Sequence, residues 1–185
     1  GQHIFYLGLG TGSRLAVQNS VLEARTQAYG GVLLASRQST ACFRFDFCTL
    51  DATLWAVRGA NTPVAMIRFV AGVVSTNLLV QRSTFFGGAG DVHPSVIAVH
   101  GETQGDSSLR FSSNKIQAAG VRHLESFCRV DYVDDGAAVA MWLNTFDFPE
   151  QATPAAVLDV KSFGASSSRP PPTVVLLYNE LLSPG

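Results

Sequence analysis

An eight-residue pattern that returns six times is the feature of this chain that most restricts its fold. The first, third and eighth positions of the pattern are apolar in every copy, and the sixth is small and polar or a cysteine. These octads span residues 15–22, 43–50, 78–85, 109–116, 139–146 and 174–181. They begin 28, 35, 31, 30 and 35 residues apart, and a repeat of that period indicates an array of similar structural units.

Each octad has the alternation of a half-buried β-strand. Positions one and three are apolar, whereas positions two and four carry polar residues such as Arg44, Asp46 and Arg110. A second β-rich run precedes each octad, at residues 4–7, 32–35, 66–70, 96–99, 127–132 and 156–160. The best helical alternative, residues 15–25, contains an octad and is therefore interpreted as a strand. We predict an all-β chain in which each repeat is strand, loop, strand and loop.

Stacking explains why one pattern returns so regularly. Strands of a sandwich face different neighbours, but in a β-solenoid equivalent positions lie above one another and each coil buries its apolar face against the next. The sequence thus predicts a parallel β-helix of about six coils of 28–35 residues, right-handed by the usual crossover rule for parallel strands. We interpret residues 1–185 as a single β-helix segment of a longer chain, because neither end shows the polar cap that solenoid termini need.

Three successive octads carry asparagine at position six, namely Asn114, Asn144 and Asn179. In stacked coils these amides would hydrogen bond to one another and to turn backbone, and asparagine tolerates the left-handed conformation of a bend. We predict a structural ladder. The alternative is that the three side chains bind a ligand.

Composition excludes several classes of function. With a formal net charge of −1 and only 15% charged residues, the chain has no basic field to attract nucleic acid or anionic lipid. The most hydrophobic segment, residues 64–74, is interrupted by Arg68 and is too short to span a membrane. Cys42, Cys48 and Cys128 match no zinc pattern and are expected to be buried free thiols. No metal or cofactor is predicted.

Coils of this length must carry protruding loops. The candidate loops are residues 54–63, 87–94, 102–107, 147–154 and 164–172. Loops are where such scaffolds place binding residues.

The octads at residues 78–85, 109–116 and 139–146 resemble the repeats of the very large dispersed-gene-family surface proteins of trypanosomatids. Those chains contain many runs of the form apolar-x-apolar-x-x-Asn-x-Phe, in a similar background of Ala, Val, Gly, Ser and Arg. The resemblance covers most of the chain and implies a pectin-lyase-like β-helix and an adhesin-like surface or secreted segment. Polysaccharide lyases, phage tailspikes and bacterial adhesins share this style of repeat, which carries no catalytic signature.

Asp131, Asp134 and Asp135, with His123 nearby, form the one acidic cluster worth testing. Polysaccharide hydrolases use paired carboxylates, one with a raised pKa as the acid and one ionised as the base. The segment around Asp134 and Asp135 also has the composition of a turn. A solvated turn is favoured, with catalysis and calcium binding as alternatives, and His100 is interpreted as a turn or solvent-facing residue.

Trp142 and Trp55 are the candidate binding residues. Trp142 occupies position four of its octad, an outward position, and Trp55 lies in a predicted loop. An exposed tryptophan suits stacking on a sugar or contact with a protein. The alternative is packing beneath a loop.

These features favour a structural or adhesive β-helix, extracellular or at the cell surface, rather than an enzyme. It would act through its loops, its lateral faces or end-to-end assembly. The expected partners are other copies of the chain, neighbouring β-helical segments, glycans or cell-surface proteins. The alternatives are a polysaccharide lyase or hydrolase and a non-catalytic carbohydrate-binding module.

Overall fold

The chain is an all-β parallel β-solenoid in the computed structural model, which confirms the predicted fold class. The structure describes residues 3–7, 12–23, 32–36, 41–52, 66–69, 73–87, 95–117, 125–147, 156–164 and 169–182. No helix occurs among these residues, and every strand pairing between them is parallel. The number of coils and their right-handed sense stay predictions.

Three parallel sheets run along the solenoid, and their strands are numbered in chain order. Sheet 1 consists of β1 (His3–Leu7), β4 (Val32–Ser36), β7 (Ile67–Phe69), β8 (Val73–Val74), β11 (Ser95–Gln104), β14 (Ser126–Val133) and β17 (Ala156–Phe163). Sheet 2 consists of β2 (Arg14–Gln18), β5 (Cys42–Asp46), β9 (Asn77–Gln81), β12 (Ser108–Ser112), β15 (Ala138–Trp142) and β18 (Thr173–Leu177). Sheet 3 consists of β3 (Val21–Glu23), β6 (Thr49–Ala52), β10 (Thr84–Gly87), β13 (Lys115–Gln117), β16 (Thr145–Asp147) and β19 (Glu180–Leu182).

Each octad forms two strands, so the prediction of a single strand is wrong. Positions one to four lie in a strand of sheet 2, positions five and six form a bend, and positions seven and eight begin a strand of sheet 3. Equivalent positions of successive octads are paired, as Leu109 is with Val139 and Val139 with Val174. A repeat therefore consists of three strands on three sheets.

Position five makes the bend, because its backbone is left-handed in every octad. The φ angle lies between 48° and 56° at Asn19, Phe47, Arg82, Ser113, Leu143 and Tyr178. This conformation costs roughly 1–2 kcal/mol in a residue that has a Cβ atom. In the first five octads this bend is stabilised because the N–H of position five donates to the position-four carbonyl of the next octad, as from Arg82 to Ser112 at 3.0 Å. Position five, rather than the asparagine at position six, takes the left-handed conformation.

Position six carries a second set of hydrogen bonds between octads. Oδ1 of Asn144 accepts from the backbone N–H of Asn114 at 3.0 Å and from its Nδ2 at 3.0 Å. Oδ1 of Asn179 accepts from the same two groups of Asn144, at 3.2 and 2.9 Å. Earlier in the chain, Oγ of Ser83 accepts from the N–H of Cys48 at 3.0 Å. Side chains at position six thus satisfy the backbone donors of the bend.

Phe127 of β14 packs sheet 1 against the two sheets that the octads form. Its ring centroid lies 5.5 Å from that of Phe85, 5.5 Å from that of Phe111 and 5.3 Å from that of Phe146, all edge to face. All four rings are fully buried. Such pairs contribute about 0.5–1.5 kcal/mol each beyond their burial, so Phe127 anchors the core at the junction of the sheets.

One predicted loop is wrong and others lie largely outside the described residues. Strand β11 continues through residues 102–104, and the turn after it is confined to residues 105–106. The predicted loop at residues 54–63 lies outside the described residues, as do most of those at 87–94 and 147–154 and residues 165–168 of the loop at 164–172.

Replacing Asn144 with alanine tests the position-six hydrogen bonds. The variant leaves two buried donors of Asn114 without an acceptor and removes the donation from Nδ2 to the carbonyl of Phe111. Since a buried unpaired group costs about 1–3 kcal/mol, we expect urea denaturation to show a loss of about 2–4 kcal/mol in unfolding free energy. Asn144→Ser is the matched control, because a hydroxyl at this position can accept the backbone N–H as Ser83 does. Equal losses in the two variants would contradict this role.

Replacing Thr103 with valine should stabilise the protein. Thr103 is wholly buried, pairs in register with Val73 and Val133, and its Oγ1 has no hydrogen-bond partner. Valine has nearly the same shape without the unpaired hydroxyl, so we expect a gain of about 1 kcal/mol in thermal or urea unfolding. The reciprocal variant Val133→Thr should lose stability. A loss in Thr103→Val would show that the hydroxyl is bonded.

Candidate functional site

A row of side chains with two arginines lies on the outer face of sheet 1. Arg68 of β7, Ala98 of β11 and Arg129 of β14 are in register on three neighbouring strands. The residues beside Arg68, Ile67 and Phe69, belong to the core and are wholly buried. Because neighbouring side chains of a strand point to opposite faces, this row faces away from the core.

Asp131 lies beside this row and is within ion-pair distance of three basic side chains. Its Oδ2 lies 3.4 Å from Nδ1 of His100, and its Oδ1 lies 3.5 Å from Nε of Arg129 and 3.5 Å from Nζ of Lys161. Partial burial raises the pKa of Asp131. A hydrogen bond from the N–H of Gly101 and the charges of Lys161 and His100 lower this pKa by a larger amount. The pKa therefore lies below its ordinary value, the reverse of what a general acid requires.

These residues are called the charged cluster below. The cluster comprises Arg68, His100, Arg129, Asp131 and Lys161. Its members lie on four successive strands of sheet 1, β7, β11, β14 and β17. The stacking of repeats therefore gathers side chains that are about one repeat apart in the sequence.

His100 is held beside Asp131 by an irregularity in β11. Strand β11 contains one residue more than β14 between the residues that pair with Val130 and Tyr132. Such a β-bulge changes the direction in which nearby side chains point. Burial and the charge of Arg68 lower the pKa of His100 more than Asp131 raises it. His100 is a strand residue with an ionic neighbour, so the prediction of a turn or solvent-facing residue is wrong.

The other two carboxylates of the predicted acidic cluster belong to the turn after β14. Oδ1 of Asp134 accepts a hydrogen bond from the N–H of Asp135 at 2.9 Å. A Cβ atom on Gly164 would overlap this oxygen, so the turn is closely packed against the next repeat. Asp135 is buried in the same turn. Asp134 therefore forms a turn, while Asp131 belongs to the charged cluster.

Trp142 lies at the end of β15, where it pairs in register with Ser112 and Leu177. Its side chain is half-buried, so it offers only part of its ring surface to a ligand. Trp55, the other predicted binding residue, and His123 lie outside the described residues.

A second ionic site, on the outer face of sheet 2, was not singled out from the sequence. Asp46 accepts two hydrogen bonds from Arg82, at 3.0 and 2.8 Å, and one from Arg44 at 3.1 Å. The guanidinium of Arg82 also lies 4.2 Å from the ring centroid of Phe47. Desolvation raises the pKa of Asp46, but hydrogen bonds from Gln81, Arg82 and Arg44 lower it below its ordinary value. The sequence did offer a signal for this site. Asp46 and Arg44 are positions four and two of the second octad, and Arg82 is position five of the third.

The three cysteines have different surroundings. Cys48 and Cys128 are buried, but Cys42 is exposed, so the expectation of a buried thiol is wrong for Cys42. Sγ of Cys48 donates to the carbonyl of Val17 at 3.3 Å, and burial raises the pKa of Cys128 far above its ordinary value. Burial of this kind suppresses the thiolate that reacts.

The octad at residues 174–181 differs from the others in the exposure of its apolar positions. Val174, Leu176 and Leu181 are 38%, 49% and 58% exposed. The equivalent residues of the preceding octad are wholly buried, namely Val139, Met141 and Phe146. The strands of this octad, β18 and β19, form the edges of sheets 2 and 3. An apolar surface and a strand edge therefore coincide at this end of the solenoid, called the coil end below.

Comparison with known proteins found no match: no model of a protein family, no curated protein and no solved structure matches this chain. Within the described ranges, no helix is long and apolar enough to cross a membrane. A β-solenoid fold does not by itself decide whether a protein is an enzyme. Function must therefore be argued from the coil end and the charged cluster.

Lowering the pH should weaken the fold through His100. Its pKa in the folded protein lies below the ordinary value of 6.5, so folding favours the neutral ring and stability falls as the pH drops from 6.5 toward the folded pKa. Between pH 7 and pH 5 we expect the melting temperature of His100→Gln, whose side chain stays uncharged, to fall by less than that of the wild type. The two proteins should differ least at pH 8. Parallel pH profiles would contradict this assignment, since Asp131 contributes only below its ordinary pKa of 3.8.

Proposed function

We propose that this chain is a segment of a structural or adhesive β-solenoid at the cell surface or outside the cell. In this proposal its coils, about six, right-handed and 28–35 residues long, stack end to end on further coils. One observation carries the proposal: the octad at residues 174–181 exposes the apolar positions that are buried in the octads before it. The resemblance of the repeats to those of β-helical surface proteins supports the location.

The apolar coil end favours contact with another coil rather than with water. Leu176 and Leu181 are about half exposed, and Leu177 and Leu182 of the same two strands are exposed as well. Fully burying a leucine side chain contributes about 1.5–3 kcal/mol. A further coil that stacked on this octad, from this chain or from another copy, would bury these leucines.

Hydrogen bonds inside the solenoid indicate which coil would fit. The N–H groups at positions five and six of the second octad donate to the carbonyl of Gln81 and to Oγ of Ser83. Oγ of Ser83 in turn donates to the carbonyl of Gln81 at 2.8 Å. The first octad has the same arrangement, since Oγ of Ser20 donates to the carbonyl of Gln18 at 2.7 Å. Gln18 and Ser20 can therefore receive a preceding octad.

In the purified segment, a second copy of this chain supplies the preceding octad. Its Tyr178 and Asn179 occupy positions five and six, and their N–H groups would donate to the carbonyl of Gln18 and to Oγ of Ser20. The half-buried apolar positions of the first octad would then cover the exposed ones of the last. This contact is head to tail and does not close on itself, so it propagates into a filament.

The alternative functions, a polysaccharide lyase or hydrolase and a carbohydrate-binding module, have less support in the described residues. Asp131 is an ion-paired carboxylate with a lowered pKa, whereas an acid catalyst needs a raised one. Trp142 is half-buried. Neither residue carries a second proposal of function.

Electron microscopy of the purified chain across a concentration series tests the stacking. We expect end-stacked rods or filaments in the wild type, and Leu176→Lys should require at least about tenfold more protein to assemble, since the contact would bury an unpaired charge. Leu143→Lys is the matched control, because Leu143 is 57% exposed but lies at a lateral bend. It should assemble as the wild type does.

Thermal unfolding of the three proteins separates assembly from folding. Leu176→Lys should retain a cooperative transition, since Leu176 is already half exposed. Short separate rods at every concentration, in the wild type as in the variants, would overturn end stacking and direct attention to the loops and lateral faces.

A further inference from the structure

We propose that the charged cluster binds an oxyanion, a carboxylate or sulfate group, between Arg68 and Arg129 and above Ala98. This site lies on a lateral face and is independent of stacking at the coil end. It rests on three observations: the spacing of the two arginines, unpaired donors in the cluster, and the lack of a carboxylate counter-ion for Arg68 among the described residues.

The row of Arg68, Ala98 and Arg129 places a small residue between two long ones. Neighbouring strands are about 4.8 Å apart, so the two arginines start about 10 Å from each other. Ala98, which lies between them, offers only a methyl group and leaves the space above it to the longer side chains. It is 1% exposed although it faces outward, so longer groups around it cover it.

Donors without partners converge on the cluster. Nε of Arg68 and Nε of Arg129 are buried and have no hydrogen-bond partner, although Oδ1 of Asp131 lies 3.5 Å from the latter. A buried donor left unpaired is costly, and more so in a charged group. Guanidinium groups stay protonated in proteins, so loss of the proton does not relieve this cost. An oxyanion provides acceptors for several donors at once.

The carboxylates of the described residues do not neutralise Arg68. Asp131 is held by His100, Lys161 and the N–H of Gly101, and no carboxylate of the described residues lies within ion-pair distance of Arg68. Burial lowers the pKa of Arg68, as expected of a guanidinium without a counter-ion. A ligand anion would supply the missing charge.

The arginine fork selects the class of ligand. Guanidinium groups bind carboxylate and sulfate through two parallel hydrogen bonds. Such an oxyanion could be a free small anion or a group on an acidic glycan. The two sources share the same contacts with Arg68 and Arg129, and experiment can distinguish them.

Thermal shift and calorimetry of the full chain test the site. Sodium sulfate and sodium acetate are compared with sodium chloride at equal ionic strength, and then with an oligogalacturonate and a sulfated oligosaccharide. We expect sulfate or acetate to raise the melting temperature more than chloride does. Arg68→Gln should weaken this binding by about tenfold or more, the loss of one charge-assisted hydrogen bond. Arg110→Gln, at an exposed arginine of sheet 2, is the control and should bind as the wild type does.

Each outcome has a defined meaning. Tighter binding of an oligosaccharide that depends on Arg68 assigns the site to an acidic glycan, and binding of the small anions alone assigns it to a free anion. Equal responses to chloride, sulfate, acetate and the oligosaccharides in the wild type would overturn the proposal, as would equal affinities in wild type and Arg68→Gln. If Arg68→Gln does not fold, calorimetry of the wild type decides the question, because sulfate can raise a melting temperature without binding.

Discussion

The hydrogen bond from position five of one octad to position four of the next is the interaction on which the rest of the fold depends. It holds a left-handed bend in residues as large as Phe47 and Leu143, where an isolated chain would disfavour that conformation. Because the bend recurs at the same position, the strands on either side leave it in the same directions in every repeat. The apolar positions then fall into columns, and the core forms. A single coil lacks these partners, so the coils are stable only as a stack.

The same stacking gathers charges that are distant in the sequence. Arg68, Arg129 and Lys161 come from three different repeats, and register on sheet 1 brings them to one outer face. Solenoids use their lateral faces for binding because those surfaces are built from many coils at once. The bulge in β11 adds His100 to the group.

Several parts of this structure could be read from the sequence because they depend on burial and period. The apolar columns, the strands that precede the octads and the stacking of position six follow from residues that recur at matching positions. The bend could not be read, because position five has no common side-chain property: it is Asn, Phe, Arg, Ser, Leu or Tyr. Its conformation is imposed by backbone hydrogen bonds to a neighbouring coil, and these bonds leave no mark in composition.

The sequence by itself determined that the chain is an all-β repeat with parallel stacking, since alternating hydrophobicity at a fixed spacing has few other solutions. Only the tertiary structure decided that each octad turns between two sheets, that residues 102–104 extend a strand, and that Asp46 and Asp131 are covered by cations. The physical reason is the range of the interactions concerned. Hydrophobic patterning involves neighbouring residues of one strand, so it can be read directly from the order of the residues. Ion pairs and bulges depend on residues about thirty positions apart, which meet only when the coils are stacked.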